Sequence, residues 1–121
     1  MIECIIVGAG GWIGAVCRYL IGLIPLGDQS AFPLKTFLIN VAGSFVIGVI
    51  AALAWKSRPL NPRLVLFLKT GVCGGFTTFS SFALETEELI KNGNMPMALL
   101  YACLSMAGGI LAAAAGQKLA G

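Results

Sequence analysis

Four long apolar runs, separated by short clusters of proline, glycine, asparagine and charged residues, make up almost the whole chain. The first covers residues 4–24 and stops at Pro25, where Gly27 and Asp28 open a polar loop. The second follows Pro33, covers 34–55 and ends against Lys56, Ser57, Arg58 and Pro59. The third, 63–91, leaves its apolar stretch among Glu85, Glu87, Glu88 and Lys91, and Asn92, Gly93 and Asn94 form the next turn. The fourth starts beside Pro96 and covers 96–119, through the small residues from Ala112 to Gly116. A helix that crosses a bilayer needs about 20 mostly apolar residues. The pattern therefore predicts an all-α membrane protein, one domain over 1–121 with four transmembrane helices. The short second loop makes helices two and three antiparallel neighbours.

The third run is interrupted. From Gly71 to Phe82 it reads Gly-Val-Cys-Gly-Gly-Phe-Thr-Thr-Phe-Ser-Ser-Phe, loose and hydroxyl-rich where a spanning helix should be uniformly apolar. In hydrocarbon every backbone N–H and C=O needs a partner, so a segment that weakens its own helix must line a cavity or be wrapped in protein. A break near 74–78 is expected, starting at Gly74, Gly75 and Phe76. It frees carbonyls that can coordinate a cation, while Thr77 and Thr78 suit the N-cap of the restarted helix. Broken helices of this kind serve membrane transporters as ion and substrate sites.

Composition narrows the class. With 58% hydrophobic and 11% charged residues and no histidine, the chain departs from soluble domains, about a quarter of whose residues are charged. No extramembrane domain is expected, and Met1 leads into Ile-Glu-Cys-Ile-Ile-Val without the basic flank and cleavage site of a signal peptide, so the first helix is expected to be retained. Cys4, Cys17, Cys73 and Cys103 lie in apolar runs without paired spacing and read as packing residues. The net charge of +3 is scattered near helix ends, which suits lipid headgroups and not nucleic acid. Lys56, Arg58, Arg63 and Lys118 fall on one side, with Lys69 loosely among them; Lys35, Lys91 and Arg18 fall on the other. So weak a bias lets the chain insert both ways up. The acidic residues lie at helix ends and no nucleophile has a base, so no enzyme is expected.

Each helix nevertheless carries a small or polar stripe. Gly10, Gly14, Arg18 and Gly22 recur every four residues; the glycines fit close helix contact, and Arg18 either anchors the helix by snorkelling or draws anions toward a vestibule. Thr36, Asn40, Ser44 and Gly48 share a face of the second helix, where the Asn40 amide needs a partner helix or a polar ligand. Phe79 and Phe82 share a face of the third, with Ser80 and Ser81 between them. A phenyl ring has an electropositive edge, so such a pair either packs or touches a small anion. Tyr101 and Ser105 share a face of the fourth. The available groups are donors and ring edges, not acids.

On these residues the chain resembles the Fluc (CrcB-type) fluoride channels over nearly its whole length. The motifs are Gly10-Gly11-x-x-Gly14-Ala15-x-x-Arg18-Tyr19, Thr36-x-x-x-Asn40-x-x-Gly43-Ser44-Phe45-x-x-Gly48 and Gly71-x-Cys73-Gly74-Gly75-Phe76-Thr77-Thr78-Phe79-Ser80-Ser81-Phe82. The resemblance implies passive export of fluoride through the cell's inner (plasma) membrane by an antiparallel, dual-topology homodimer with two pores. It also implies a central sodium ion on the backbone carbonyls of Gly74 and Thr77. Phe79 and Phe82 would form an aromatic box, Asn40 would donate to fluoride, and Thr36, Ser80, Ser81, Tyr101 and Ser105 would form a polar track. Glu85 matches an acidic position beyond the box, or is a solvated helix-end carboxylate. Ser81 stands where many relatives have threonine, and Gly109 where a second serine follows Ser105. The alternative is a small four-helix multidrug-resistance transporter; those carriers resemble one another in a carboxylate deep in the first helix, where this chain has Arg18 and keeps Glu3 at the end.

Overall fold

The computed structural model describes residues 1–27, 30–56 and 60–121. Asp28 in the first loop, and Ser57, Arg58 and Pro59 after the second apolar run, lie outside the described residues. Helix α1 is Ile2–Gly22 and α2 is Leu34–Ala54. The third span is built in pieces. α-Helical Pro62–Val65, π-helical Leu66–Cys73 and α-helical Gly74–Phe76 run on without interruption and are here α3, residues 62–76. After two extended residues the chain resumes as α4, Phe79–Lys91, and a turn leads into α5, Met95–Ala120. All four spans are long and apolar enough to cross a membrane.

Local chemistry explains the ends. Pro62 opens α3 at a position that lacks an intrahelical N–H partner anyway, and the Asn61 side chain accepts the Arg63 N–H at 2.8 Å. Gly93, at φ +80°, closes α4 by letting the Asn94 N–H reach the Leu89 carbonyl at 2.8 Å.

The helices pack as two intimate pairs, α1 with α3 and α2 with α5. Lipid offers no hydrophobic drive between helices, so close association relies on small residues that let backbones touch. Gly10 and Gly14 are buried against α3. A Cβ on Gly14 would collide with the Val72 carbonyl and the Phe76 nitrogen, and one on Gly75 with the Gly11 carbonyl. In the other pair, Gly48 lies against the Ala113 carbonyl and Gly116 against the Phe45 carbonyl. A Cβ on Gly22, on the same expected stripe as Gly10 and Gly14, would meet nothing within 4 Å, so the tight backbone contact of α1 does not extend to it. Near the loop end of the molecule, Tyr101 is fully buried with Leu89 and Ala98, and Phe32, Phe37 and Phe82 pack around it.

Candidate functional site

Midway along the third span the helix stops at Phe76, not at the glycines. Gly74 and Gly75 remain helical; Thr77 (φ −80°, ψ 157°) and Thr78 (φ −148°, ψ 114°) are the extended residues. Gly75 serves close approach, abutting Gly11, and the interruption falls where threonine side chains can replace backbone partners. The Thr77 hydroxyl donates to the Cys73 carbonyl at 2.9 Å, beside the Thr77 N–H at 3.1 Å. Thr78 is the N-cap of α4, its hydroxyl accepting the Ser81 N–H at 3.1 Å.

The Asn40 amide clamps the break. Its Nδ2 donates to the Thr78 carbonyl at 3.1 Å, and its Oδ1 accepts the Thr78 N–H at 2.8 Å. One side chain on α2 thus satisfies both backbone groups of Thr78. A primary amide carries two N–H donors, so one remains for another acceptor.

Beside this clamp lies a cavity of about 330 Å³. Asn40, Thr77, Thr78, Phe79, Phe82 and Ser105 contribute to its wall, and none of its lining residues is ionisable except Cys73. The Ser105 hydroxyl is buried and has no hydrogen-bond partner among the described residues. A buried hydroxyl left unpaired is costly, so this one is poised for a ligand in the cavity. The Phe79 and Phe82 rings stand 5.8 Å apart at a 48° tilt. Phe79 is 79% exposed while Phe82 is half-buried against Tyr101, centroids 5.0 Å apart.

The rest of the expected track lies beyond Phe82. The Thr36 hydroxyl donates to Glu85 Oε2 and the Tyr101 hydroxyl to Glu85 Oε1, each at 2.9 Å. Glu85 is therefore the hub of a hydrogen-bonded trio, not a freely solvated helix-end acid. Its place three residues after Phe82 put it on the ring-bearing face, a signal that spacing carries. Ser81 lines a second cavity, about 370 Å³, together with Arg18, Lys35, Thr36 and Glu85. Ser80 is exposed, its hydroxyl 3.3 Å from that of Thr78. The candidates thus form two groups: Asn40, Phe79, Phe82 and Ser105 around the inner cavity, and Thr36, Ser81, Glu85 and Arg18 around the outer one. Phe82 and Tyr101 stand between. Ser44 also lines the inner cavity, one turn beyond Asn40 on the polar face of α2.

Gly74 and Thr77 keep their carbonyls open. Their i+4 partners are lost to the interruption, and no donor among the described residues replaces them. Gly74 is exposed at the surface of the chain. Open carbonyl oxygens of this type are hard ligands that suit a small monovalent cation.

A multi-pass membrane protein with a helix interrupted over an uncharged, donor- and ring-lined cavity is the class this architecture defines, one built to handle a small solute at membrane depth. Residues 5–117 match the family described as CrcB-like protein, Camphor Resistance (CrcB), and the chain belongs to that family. It is 44% identical over 120 residues to the fluoride-specific ion channel FluC of Chlorobaculum tepidum, an alignment covering 99% of this chain and 95% of that protein. The protein of the same name from Ruminiclostridium cellulolyticum is 42% identical over 121 residues, 99% of this chain and 93% of its own. That of Methylobacterium radiotolerans is 40% identical over 120 residues, 98% and 84% respectively.

Proposed function

We propose that this chain forms a fluoride-selective channel of the cell membrane that lets fluoride leave the cytoplasm passively, reducing its toxicity. Full-length similarity to proteins named fluoride-specific ion channels supports the reading. The observation that carries it is the inner cavity. Fluoride holds its hydration strongly, so a pore must offer donors that replace water without trapping the ion. The unpartnered Ser105 hydroxyl, the second Asn40 N–H and the phenyl edges of Phe79 and Phe82 meet that requirement with no fixed charge. Beyond Phe82, the Tyr101 and Thr36 hydroxyls continue the donor line to the outer cavity, where Arg18 and Lys35 add positive charge. Ser80 and Ser81 complete that track. The chemistry is conduction, not catalysis.

The functional unit in this reading is an antiparallel homodimer with two pores. A single chain leaves Phe79 79% exposed and Gly74, with its open carbonyl, at its surface, and irregular backbone at membrane depth cannot face lipid. A second copy inserted the other way up covers both. The same carbonyls from two chains then suit a shared sodium ion, which supplies a fixed positive charge at the symmetry axis.

The test is efflux from liposomes holding only this protein. Fluoride measured by electrode should leave while chloride stays; proton-coupled drug uptake without fluoride flux would move the chain to the small multidrug class. Single cysteines placed at opposite loop ends should each label from both sides of the membrane in intact cells. Strictly one-sided labelling would defeat the antiparallel dimer.

A further inference from the structure

The interruption withdraws the usual helical partners from the carbonyls of Gly74, Gly75, Phe76, Thr77 and Thr78. Asn40 covers Thr78 at 3.1 Å, and Arg18 covers Gly75, its Nε donating at 3.3 Å across from α1. Of these two helpers only Arg18 carries charge. The C-terminal end of a helix bears roughly half a negative charge, and cations there are stabilising. Arg18 meets that end at membrane depth, where an unpaired arginine is costly, so each group relieves the other.

We propose that Arg18 is a positioning residue that caps α3 through the Gly75 carbonyl and thereby directs the neighbouring Gly74 and Thr77 carbonyls outward, as a cation site. The inference rests on the channel reading above. The approach that makes it feasible is unusually tight. Gly14, one turn before Arg18, lies against the Val72 carbonyl and the Phe76 nitrogen, and Gly75 against Gly11, so the arginine stem runs directly alongside the end of α3. With the Gly75 carbonyl held toward α1, the carbonyls of Gly74 and Thr77, and of Phe76 between them, remain without donors among the described residues. The bond uses Nε, a donor set close to the stem that lysine does not have. The rest of the guanidinium lines the outer cavity with Lys35 and Glu85. A role in attracting anions is the competing explanation, and it depends on charge alone.

The two explanations separate in Arg18→Lys and Arg18→Gln, tested as full-length protein. One measurement is thermal unfolding in detergent as sodium chloride replaces choline chloride; the other is the half-saturating fluoride concentration for efflux from liposomes. Loss of a charge-assisted hydrogen bond should weaken sodium stabilisation about tenfold in Arg18→Gln. Arg18→Lys should be nearly as weak, because it keeps charge and loses Nε, so the sodium response should fall with loss of Nε and not with loss of charge. A native sodium response in both variants, with half-saturating fluoride raised in Arg18→Gln and restored in Arg18→Lys, would overturn the proposal in favour of anion attraction. Absence of sodium stabilisation in the native protein would also overturn it. Should Arg18→Gln fail to fold, Arg18→Lys still decides. A native protein that responds to sodium but passes no fluoride would sink the channel reading alone, with the sodium shift still reporting on Arg18.

Discussion

The two halves of the third span are held by opposite means. Residues 62–76 lie against α1 with backbone on backbone, through Gly10, Gly14, Gly71 and Gly75, where there is no room for a Cβ. Phe79–Lys91 is held by side chains that reach: Glu85 to Thr36 and Tyr101, and Phe82 onto the Tyr101 ring. Close-packed backbone has one arrangement and transmits strain. Hydroxyl-to-carboxylate bonds have alternatives, because each hydroxyl can turn to another acceptor. The interruption at Thr77 and Thr78 joins a fixed half to an exchangeable one, and the inner cavity sits on that seam. Rigidity on one side holds the open Gly74 carbonyl in place, and exchangeable donors on the other suit an ion that must leave as readily as it enters.

The sharpest way to break this contrast is to add one carbon to the fixed half. Gly14→Ala places a Cβ against the Val72 carbonyl and Phe76 nitrogen, backbone atoms that cannot rotate away. Overpacking of that kind costs about 3 kcal/mol, and the variant should lose cooperative assembly in denaturant titrations. Gly8→Ala and Gly22→Ala on the same helix meet nothing within 4 Å and should stay within about 0.5 kcal/mol of the native protein. Equal effects at all three positions would mean that α1 and α3 are not in backbone contact.

Asn40 tests the seam itself. Asn40→Leu removes both partners of the Thr78 peptide and should destabilise by about 2 kcal/mol, the scale set by stranding buried polar groups. Asn40→Asp keeps the acceptor for the Thr78 N–H, but sets a carboxylate against the Thr78 carbonyl and puts negative charge in the cavity wall. Its stability loss should be smaller than that of Asn40→Leu, and its fluoride efflux should fall at least about tenfold by electrode, since charge repulsion acts strongly where water is excluded. Native flux in Asn40→Asp would take the amide out of the ion path and leave it only its clamp.

How much of this was open to sequence reasoning follows the same division. Span length and apolarity gave four crossings, and the glycine spacing of α1 pointed to close contact, because those signals depend only on composition along one helix. The interruption was legible as a region, 74–78, with Thr78 among the expected caps of the restarted helix, but not in which of its residues leave the helix. Glycine suggested itself as the breaker, whereas Gly74 and Gly75 stay helical and Thr77 and Thr78 carry the extended backbone. The long-range bonds around them, Asn40 to Thr78, Thr36 to Glu85 and Arg18 to Gly75, join residues 38 to 57 apart in sequence, and no periodicity within a helix encodes such a pairing. Tyr101 and Ser105 share a helical face, yet Tyr101 is spent on Glu85 and Ser105 is left unpartnered. Their difference arises from which neighbour of α4 each one meets. The π-helical winding of Leu66–Cys73 has no signature in these residues that we can name.

The exchangeable half should respond more gently. Tyr101→Phe and Thr36→Val each remove one of the two hydrogen bonds to Glu85, and each should cost about 1 kcal/mol. The double variant is more informative than either. It strands the carboxylate, so its cost should exceed the sum of the single variants by about 0.5 kcal/mol or more, as expected for groups sharing one network. Strict additivity in denaturant titrations would mean that Glu85 exchanges each hydroxyl for water independently and that the trio is not a unit.

The aromatic pair supplies the smallest expected change in stability and the cleanest separation of stability from transport. Phe79 is 79% exposed on its own chain, while Phe82 packs on Tyr101 with centroids 5.0 Å apart. Isoleucine keeps apolar bulk in either place and deletes the ring quadrupole, which is worth about 1 kcal/mol where two rings meet. Phe82→Ile should therefore lose about 1 kcal/mol and Phe79→Ile less than about 0.5 kcal/mol, because only Phe82 gives up a buried aromatic partner within its own chain. Fluoride efflux should nevertheless fall in both, since both rings border the inner cavity. If Phe79→Ile instead proves as destabilising as Phe82→Ile, its ring must be covered in the assembled protein, and comparing the loss in detergent-dispersed single chains with that in assembled protein would show whether a second copy provides the cover. If both variants conduct fully, the rings are packing elements, and selectivity must rest on Ser105 and the second Asn40 N–H.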